Sequence, residues 1–244
     1  MTVRWTEEII IQSDDVDFRS ECRWSVMLGF MQRAADTHIE KLGVGRDQML
    51  EQGLGWMLIT MDMTVEKMPQ YADAIHITTW SRGAKGALWN RDYRFTDRTG
   101  KEFGSARSVW ALVDIHKRKI LRPSAFPYEV PVHMESAGSP PDKAVIPEGT
   151  ALREAYAYTV RYSGIDSNGH LNNARYADLC FDVLEAHELR TGRAAGLKIT
   201  YHREARMGDE IKLRRSYGEG DTIYVQGVSP EGTNFFEAAV VMTS

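Results

Sequence analysis

Cysteine is scarce in this chain: Cys22 and Cys180 are the two in 244 residues. Two thiols far apart in an otherwise ordinary composition exclude a disulfide framework and predict reduced side chains. Long hydrophobic runs are missing too, and no stretch approaches the ~20 apolar residues of a membrane-spanning helix. Neither sign of charge dominates. Thirty Lys and Arg stand against 34 Asp and Glu, a net charge of -4 that removes the overall basic footprint of a nucleic-acid binder. The stretch from Met1 to Glu8 has neither the apolar core of a signal peptide nor transit-peptide character, so a cytoplasmic location is expected. His38, His76, His133, His187 and His202 show no metal-ligand spacing, and neither a metal nor a cofactor is expected.

What is present is ordinary globular material, 43% hydrophobic and 26% charged, enough for a sizeable core. The length allows one large domain or two of about 120 residues, near the usual domain size. Residues 4–12 read as a strand. A helix of about 20 residues follows, with Val26, Met27, Phe30, Met31, Ala34, Ile39 and Leu42 near helical spacing and Gly43 as its stop. Residues 56–65 alternate, placing Met57, Ile59, Met61, Met63 and Val65 on one face of a strand. Residues 74–81, 88–96 and 102–115 complete a four-strand antiparallel meander, the last two joined across Asp97-Arg-Thr-Gly100.

Residues 123–152 interrupt this regularity. Six of the eight prolines fall there, and the stretch reads as a connector between a domain at 1–122 and one at 153–244. The second half then repeats the first: a strand at 155–162, a helix at 173–189, and strands at 195–204, 209–217, 221–229 and 233–242, with Gly218-Glu-Gly220 and Pro230-Glu-Gly232 as turns. Val16-Asp17 aligns with Ile165-Asp166, and the register carries His38 onto His187. A repeat this long predicts duplicated domains, each with its own core.

The densest polar stretch opens the second helix. Asp166, Asn168 and His170 stand within five residues, with Asn172 and Asn173 just behind. Asn and Asp favour turns and helix N-caps, so Asn172 or Asn173 is expected to cap the helix. The N–H groups of its first turn are candidate donors to a developing oxyanion. The first copy carries Phe18-Arg19-Ser20-Glu21 where the second carries Ser167-Asn168-Gly169-His170, so only the second is expected to be chemically competent.

A strand, a long central helix and an antiparallel sheet wrapped around it is the hot-dog architecture. Two in tandem, an α+β fold, with D-x-N-x-H opening the second helix, resemble the plant and bacterial acyl-acyl-carrier-protein thioesterases. Thr79-Trp80, Ser108-Val-Trp110 and Tyr201-His-Arg-Glu204 extend the resemblance over nearly the whole chain. It implies hydrolysis of fatty acyl-acyl carrier protein to free fatty acid, ending fatty acid synthesis. Acyl-coenzyme A hydrolysis and non-catalytic acyl binding are the alternatives. It also implies Asp166, Asn168, His170 and Glu204 as catalytic residues, with Glu204 or Asp166 activating water. Asn172 and Asn173 are implied at the substrate, and the Met57, Ile59 and Met61 face along the acyl chain. Many plant members have Cys where this chain has Ala205, so direct attack by water is expected. The implied partner, acyl carrier protein, is acidic. Two basic clusters are candidates for docking it, His116-Lys-Arg-Lys119 with Arg122, and Arg82, Lys85 and Arg91. The assembly is expected to be a monomer or homodimer.

Overall fold

The computed structural model describes residues 2–217 and 220–243, so the Gly218-Glu219 part of the expected turn lies outside the described residues. The chain divides into two compact units, Met1–Pro141 and Asp142–Ser244. The first contains β1 (Trp5–Ile10), α1 (Trp24–Lys41), α2 (Arg46–Glu51), β2 (Leu54–Val65), β3 (Ala74–Lys85), β4 (Leu88–Asp97), β5 (Glu102–Asp114) and β6 (Lys119–Ile120). Its strands lie in the order β1-β3-β4-β5-β2, with β6 on β5, all antiparallel. The expected four-strand meander is therefore three strands long. β2 pairs with the far side of β5, and β1 closes the other edge, because α1 and α2 intervene between β1 and β2 along the chain.

The second unit contains β7 (Leu152–Thr159), α3 (Arg175–Asp182), α4 (Ala186–Thr191), β8 (Arg193–Tyr201), β9 (Glu210–Ser216), β10 (Thr222–Val228) and β11 (Asn234–Thr243). Its order, β7-β9-β10-β11-β8, is the order of the first unit strand for strand. Both units are thus hot-dogs, a helix laid against one face of a five-strand antiparallel sheet.

The helices differ. α1 runs 18 residues and buries Met27, Leu28, Met31, Ala34, Ala35 and His38, a three- and four-residue recurrence that turns one stripe toward β3 and β1. The single helix expected over 173–189 is instead two. α3 ends at Asp182, and Glu185 starts α4 in an extended conformation, with the Glu188 carboxylate accepting the Glu185 amide at 2.7 Å. The break is stabilised from β9. Arg215 donates to the Val183 carbonyl at 3.0 Å and to both carboxylate oxygens of Glu188, at 2.6 and 2.7 Å. The carbonyl that the lost helical turn would have satisfied thus keeps a partner.

β2 departs from simple alternation. A one-residue bulge at Ile59 shifts its register against β5. Leu54 and Leu58 are buried before it and Met61, Met63 and Val65 after it, while Met57 and Ile59 are half-buried. Met57 therefore does not share the buried parity of Met61. Residues 123–141 are irregular but packed. Phe126 joins Trp56, Trp89 and Tyr128 at ring separations of 5.2–5.6 Å. Residues 132–133 pair with the edge of β3 at Ser81, and residues 135–137 continue over the outer face of β3 and β4, where the Glu135 carbonyl accepts the Trp80 indole N–H at 2.8 Å and the Asp92 carboxylate accepts the Ala137 amide. This layer buries Trp80 completely on the face away from α1.

One buried polar pair ties α1 to the sheet. Arg91 donates to His38 Nδ1 at 3.1 Å and to Thr79 Oγ1 at 3.1 Å, and His38 Nε2 lies 3.0 Å from the Thr2 carbonyl. The Arg91 donation requires Nδ1 to be the acceptor, so Nε2 carries the proton and the ring is neutral. Burial holds its pKa below the ordinary value. Between that lowered pKa and the unfolded one near ~6.5, only the unfolded chain binds the proton, so this stabilisation is present above the window and lost as pH falls through it. His38→Gln should lower unfolding stability by about 2 kcal/mol at pH 8, the scale of a disturbed buried hydrogen-bonded charge. That deficit relative to the parent protein should shrink by pH 5, as read by urea titration at each pH.

Candidate active site

Asp166, Asn168 and His170 sit on the loop between β7 and α3. The loop closes on itself. Asp166 donates its amide to the His170 carbonyl at 2.9 Å, and its Oδ1 accepts the Asn168 amide at 2.8 Å. Gly169 donates to the Asp166 carbonyl at 3.0 Å and adopts φ +79°, a region that suits glycine. Asp166 is therefore engaged as the acceptor that shapes the turn, with the Asn168 side chain on its exposed rim.

The loop is docked on a second one, residues 202–209 after β8. His170 bridges to Arg206, and Leu171 donates to the Ala205 carbonyl at 2.8 Å. Glu204 was expected on the strand. β8 ends at Tyr201, because the amides of His202 and Arg203 both turn to the Phe235 carbonyl. Glu204 is thereby carried into the loop, where Oε2 lies 3.2 Å from His170 Nε2. Both side chains are partly exposed, at 23% and 36%, so the pair is reachable from solvent. Of the four expected catalytic residues, the fold brings His170 and Glu204 into side-chain contact, while Asp166 works through the backbone of their loop.

The entry to α3 also differs from expectation. The helix begins at Arg175, and its N-cap Ala174 makes no side-chain cap. Asn172 serves one turn earlier, its Oδ1 accepting the Ala174 amide at 2.9 Å and its carbonyl accepting the Arg175 amide at 2.9 Å. Asn172 itself donates to the Gly164 carbonyl at 2.9 Å. The amides of residues 171, 172, 174 and 175 are thus already committed. Asn173 is the residue in this stretch whose amide meets no protein acceptor among the described residues.

Below this layer lies an aromatic floor. Tyr176 packs edge-on against Tyr201 and Phe236, with centroids 5.2 Å apart in each case. The Tyr201 hydroxyl donates to the Asn173 carbonyl at 3.1 Å, and burial raises the pKa of the Tyr176 hydroxyl. Tyr201 enters the sequence reading only within Tyr201-His-Arg-Glu204, with no role assigned to it, and Tyr176 has none assigned either. The free thiols are elsewhere. Cys180 is fully buried in α3 and Cys22 is buried in the first unit, with burial pushing Cys22 up to about 12 and Cys180 higher still. Among the described residues, no three His, Cys, Asp or Glu side chains gather as a metal site, and no helix is long and apolar enough to cross a membrane.

The first unit carries the same loop without the same chemistry. Asp17 donates to the Glu21 carbonyl and accepts the Arg19 amide, Ser20 donates to the Asp17 carbonyl at φ +60°, and Cys22 donates to the Pro69 carbonyl. Glu21 bridges to Gln70 as His170 does to Arg206. Arg19 lies 3.2 Å from Asp17 and 3.4 Å from Glu21, and buried Met68 precedes Pro69 where Glu204 precedes Ala205. The Arg19 guanidinium thus lies between the two carboxylates of this loop. Of the two basic clusters, Arg91 is buried and Arg82 is hydrogen-bonded to the carbonyl oxygens of residues 133–135, so that cluster is not an open surface. Residues 116–119 and Arg122 are exposed.

Comparison with known proteins agrees with this architecture. Residues 2–124 match the acyl-ACP thioesterase N-terminal domain and residues 149–232 its C-terminal domain. A chloroplastic acyl-[acyl-carrier-protein] hydrolase of Cuphea viscosissima is 26% identical over 222 residues, 84% of this chain and 52% of that protein. A chloroplastic palmitoyl-acyl carrier protein thioesterase of Cuphea hookeriana is 27% identical over 73% of this chain and 46% of its own length. The chain thus spans about half the length of these curated relatives. Among solved structures, an acyl-ACP thioesterase from Bacteroides thetaiotaomicron superposes with TM-score 0.89 at 21% identity over 98% of both chains. The 12:0-ACP thioesterase from Umbellularia californica gives 0.81 at 17% identity, over 100% of this chain and 98% of that one, and these two likenesses bear on the fold. With both domain matches in chain order, this protein belongs to the acyl-ACP thioesterase family.

Proposed function

We propose that this chain hydrolyses the thioester of a fatty acyl-acyl carrier protein, releasing the free fatty acid and the carrier's thiol, and so ends elongation on the carrier. The observation that carries the reading is the partly exposed His170–Glu204 pair, 3.2 Å apart, in the unit that matches the family's C-terminal domain. The curated relatives named as acyl-carrier-protein hydrolases support the substrate class.

In this reading Glu204 and His170 together take a proton from water as its oxygen attacks the acyl carbon. Asn168 orients the water or the substrate by its amide. Asp166 keeps His170 in place through the turn it closes. The carbonyl oxygen gains negative charge, and the Asn173 amide, which meets no acceptor among the described residues, donates to it. Collapse of the intermediate breaks the carbon–sulfur bond. A pantetheine thiolate leaves readily, with a conjugate pKa near ~8.5 if it resembles cysteine, and takes up the proton. Glu204 is favoured over Asp166 as the base because the Asp166 carboxylate is engaged by the Asn168 amide. Met61 and the half-buried Met57 and Ile59 contribute acyl contacts from β2. A reducing, cytoplasmic setting belongs to the same reading, supported by the two free thiols.

Thiol release from acyl-carrier substrate, followed with a thiol reagent, tests this. His170→Ala and Glu204→Gln should each lower kcat by about 100-fold or more, the usual loss when an acid–base group is removed. Parent protein and both variants releasing thiol equally slowly would instead identify a non-catalytic acyl-binding protein. Cys22→Ala combined with Cys180→Ala should keep kcat within about threefold, because thiols held protonated by burial supply no nucleophile. Lys119→Glu with Arg122→Glu should lower kcat/KM on the carrier substrate severalfold more than on acyl-coenzyme A, and more at low salt. Equal losses on both substrates would remove this cluster as the docking surface.

A further inference from the structure

The two loops of the candidate site carry more positive charge than their frame needs. Arg161 stands just after β7, and Arg203 and Arg206 stand on either side of Glu204 in the loop after β8. All three are exposed, and none makes an ion pair or a side-chain hydrogen bond among the described residues. The carboxylates around them are already engaged. Asp166 accepts the Asn168 amide, Asp209 accepts the Arg206 amide at 2.8 Å, and Glu204 meets His170. Arg175, the remaining arginine here, is paired with Asp178 at 3.0 Å. Two exposed apolar side chains adjoin the unpaired guanidiniums, Tyr162 at 85% and Met207 at 59%. Val160 holds their segments together, its amide on the Asp209 carbonyl at 2.9 Å and its carbonyl on the Gly208 amide at 3.0 Å.

The first unit separates scaffold from function at these positions. It closes the same two loops with the same backbone bonds, Ile11 to the Asp73 carbonyl and Ala72 to the Ile11 carbonyl, and Gln70 donates its amide to Asp73 as Arg206 does to Asp209. In that register Arg161 falls on Gln12, Arg203 on Lys67 and Arg206 on Gln70, while Ser163 and Gly164 fall on Asp14 and Asp15. The frame therefore closes without these arginines. Met207 falls on Tyr71, which is exposed as well, so charge is what distinguishes the two copies. In a chain of net charge -4, unpaired positive charge gathers on the loops that hold the imidazole and the carboxylate.

We propose that Arg161, Arg203 and Arg206, with Tyr162 and Met207 beside them, are a docking surface for the acidic carrier protein that delivers the thioester. The inference rests on the hydrolysis read above and names the face of the second unit that meets the partner. It is distinct from the exposed cluster at 116–122, which lies in the first unit. A guanidinium offers carboxylates a fixed fork of donors and is more weakly hydrated than an ammonium, which suits it to a protein contact. Several on one rim create a positive potential that draws in an acidic partner and orients it. Tyr, Met and Arg are also side chains enriched where proteins meet. Docking here delivers the carrier's thioester to the reacting pair, because Arg203 and Arg206 stand one and two residues from Glu204.

The triple variant Arg161→Ala, Arg203→Ala, Arg206→Ala should lower kcat/KM on an acyl-carrier substrate by about tenfold or more. The loss should be several times smaller on the same acyl chain as an N-acetylcysteamine thioester, which carries neither protein nor charge. The deficit on the carrier substrate should shrink as salt is raised, because screening weakens the attraction in the parent protein. Replacing the same three residues by Lys keeps the charge and should recover most of the loss, which separates charge from damage to folding. Binding of an acyl-free carrier protein bearing its thiol arm, followed by titration calorimetry, should weaken in the Ala variant, a readout that needs no turnover. Equal losses on both substrates, or unchanged carrier binding, would overturn the docking surface and leave the site reading standing. Absence of thiol release by the parent protein would overturn the site reading, and the titration would then decide the surface by itself: weaker binding in the Ala variant upholds it, and unchanged binding overturns it.

Discussion

An aspartate that folds a turn around its own carboxylate is the constraint on which both halves of this protein depend. In each unit the residue accepts the amide two positions on, and a left-handed residue closes the turn three positions on. The closed turn then docks on the loop that follows the unit's second strand in sequence, β2 or β8. The backbone hydrogen bonds recur almost one for one, from Asp17, Ser20 and Cys22 in the first unit to Asp166, Gly169 and Leu171 in the second. Because carbonyls and amides make this frame, side chains at three positions are left free to vary without unfolding it.

Those positions separate a site from a structural corner. In the second unit they hold Asn168, His170 and Glu204, and the imidazole and carboxylate meet at a solvent-reachable surface. In the first they hold Arg19, Glu21 and Met68. The guanidinium lies between two carboxylates, and the thioether is buried. The first unit thus keeps the turn without the imidazole–carboxylate contact of the second. Ala205 fits the same account. It is fully buried and its carbonyl accepts the Leu171 amide, so in this chain the position belongs to the scaffold between two loops.

Much of this was legible from residues alone. The helical stripe of Met27, Met31 and Ala34, the hairpin across Asp97–Gly100 and the duplication were all visible, because periodicity and turn chemistry are local signals. The break between α3 and α4 was not. Its cause is Arg215, distant in sequence, which satisfies the Val183 carbonyl and locks Glu188. The bulge at Ile59 was equally hidden, since alternation reads smoothly through it while the partner strand imposes the shift. The basic cluster of Arg82, Lys85 and Arg91 was misleading for a related reason. Charge along a chain carries no information on which side of a sheet it faces, and Arg91 faces α1, where it meets His38.

By itself the sequence determined the kind of molecule and its chemical inventory: two copies of one α+β unit, and an acid, an amide and an imidazole concentrated before a single helix. Composition, period and spacing suffice for that, because they act over a few residues. Tertiary structure alone decided which groups meet. Glu204 reaches His170 only because β8 ends early and the two loops close on each other through the Leu171–Ala205 backbone bond. Contacts between residues 34 positions apart depend on how strands pair and loops dock, and that information is held by the folded chain as a whole.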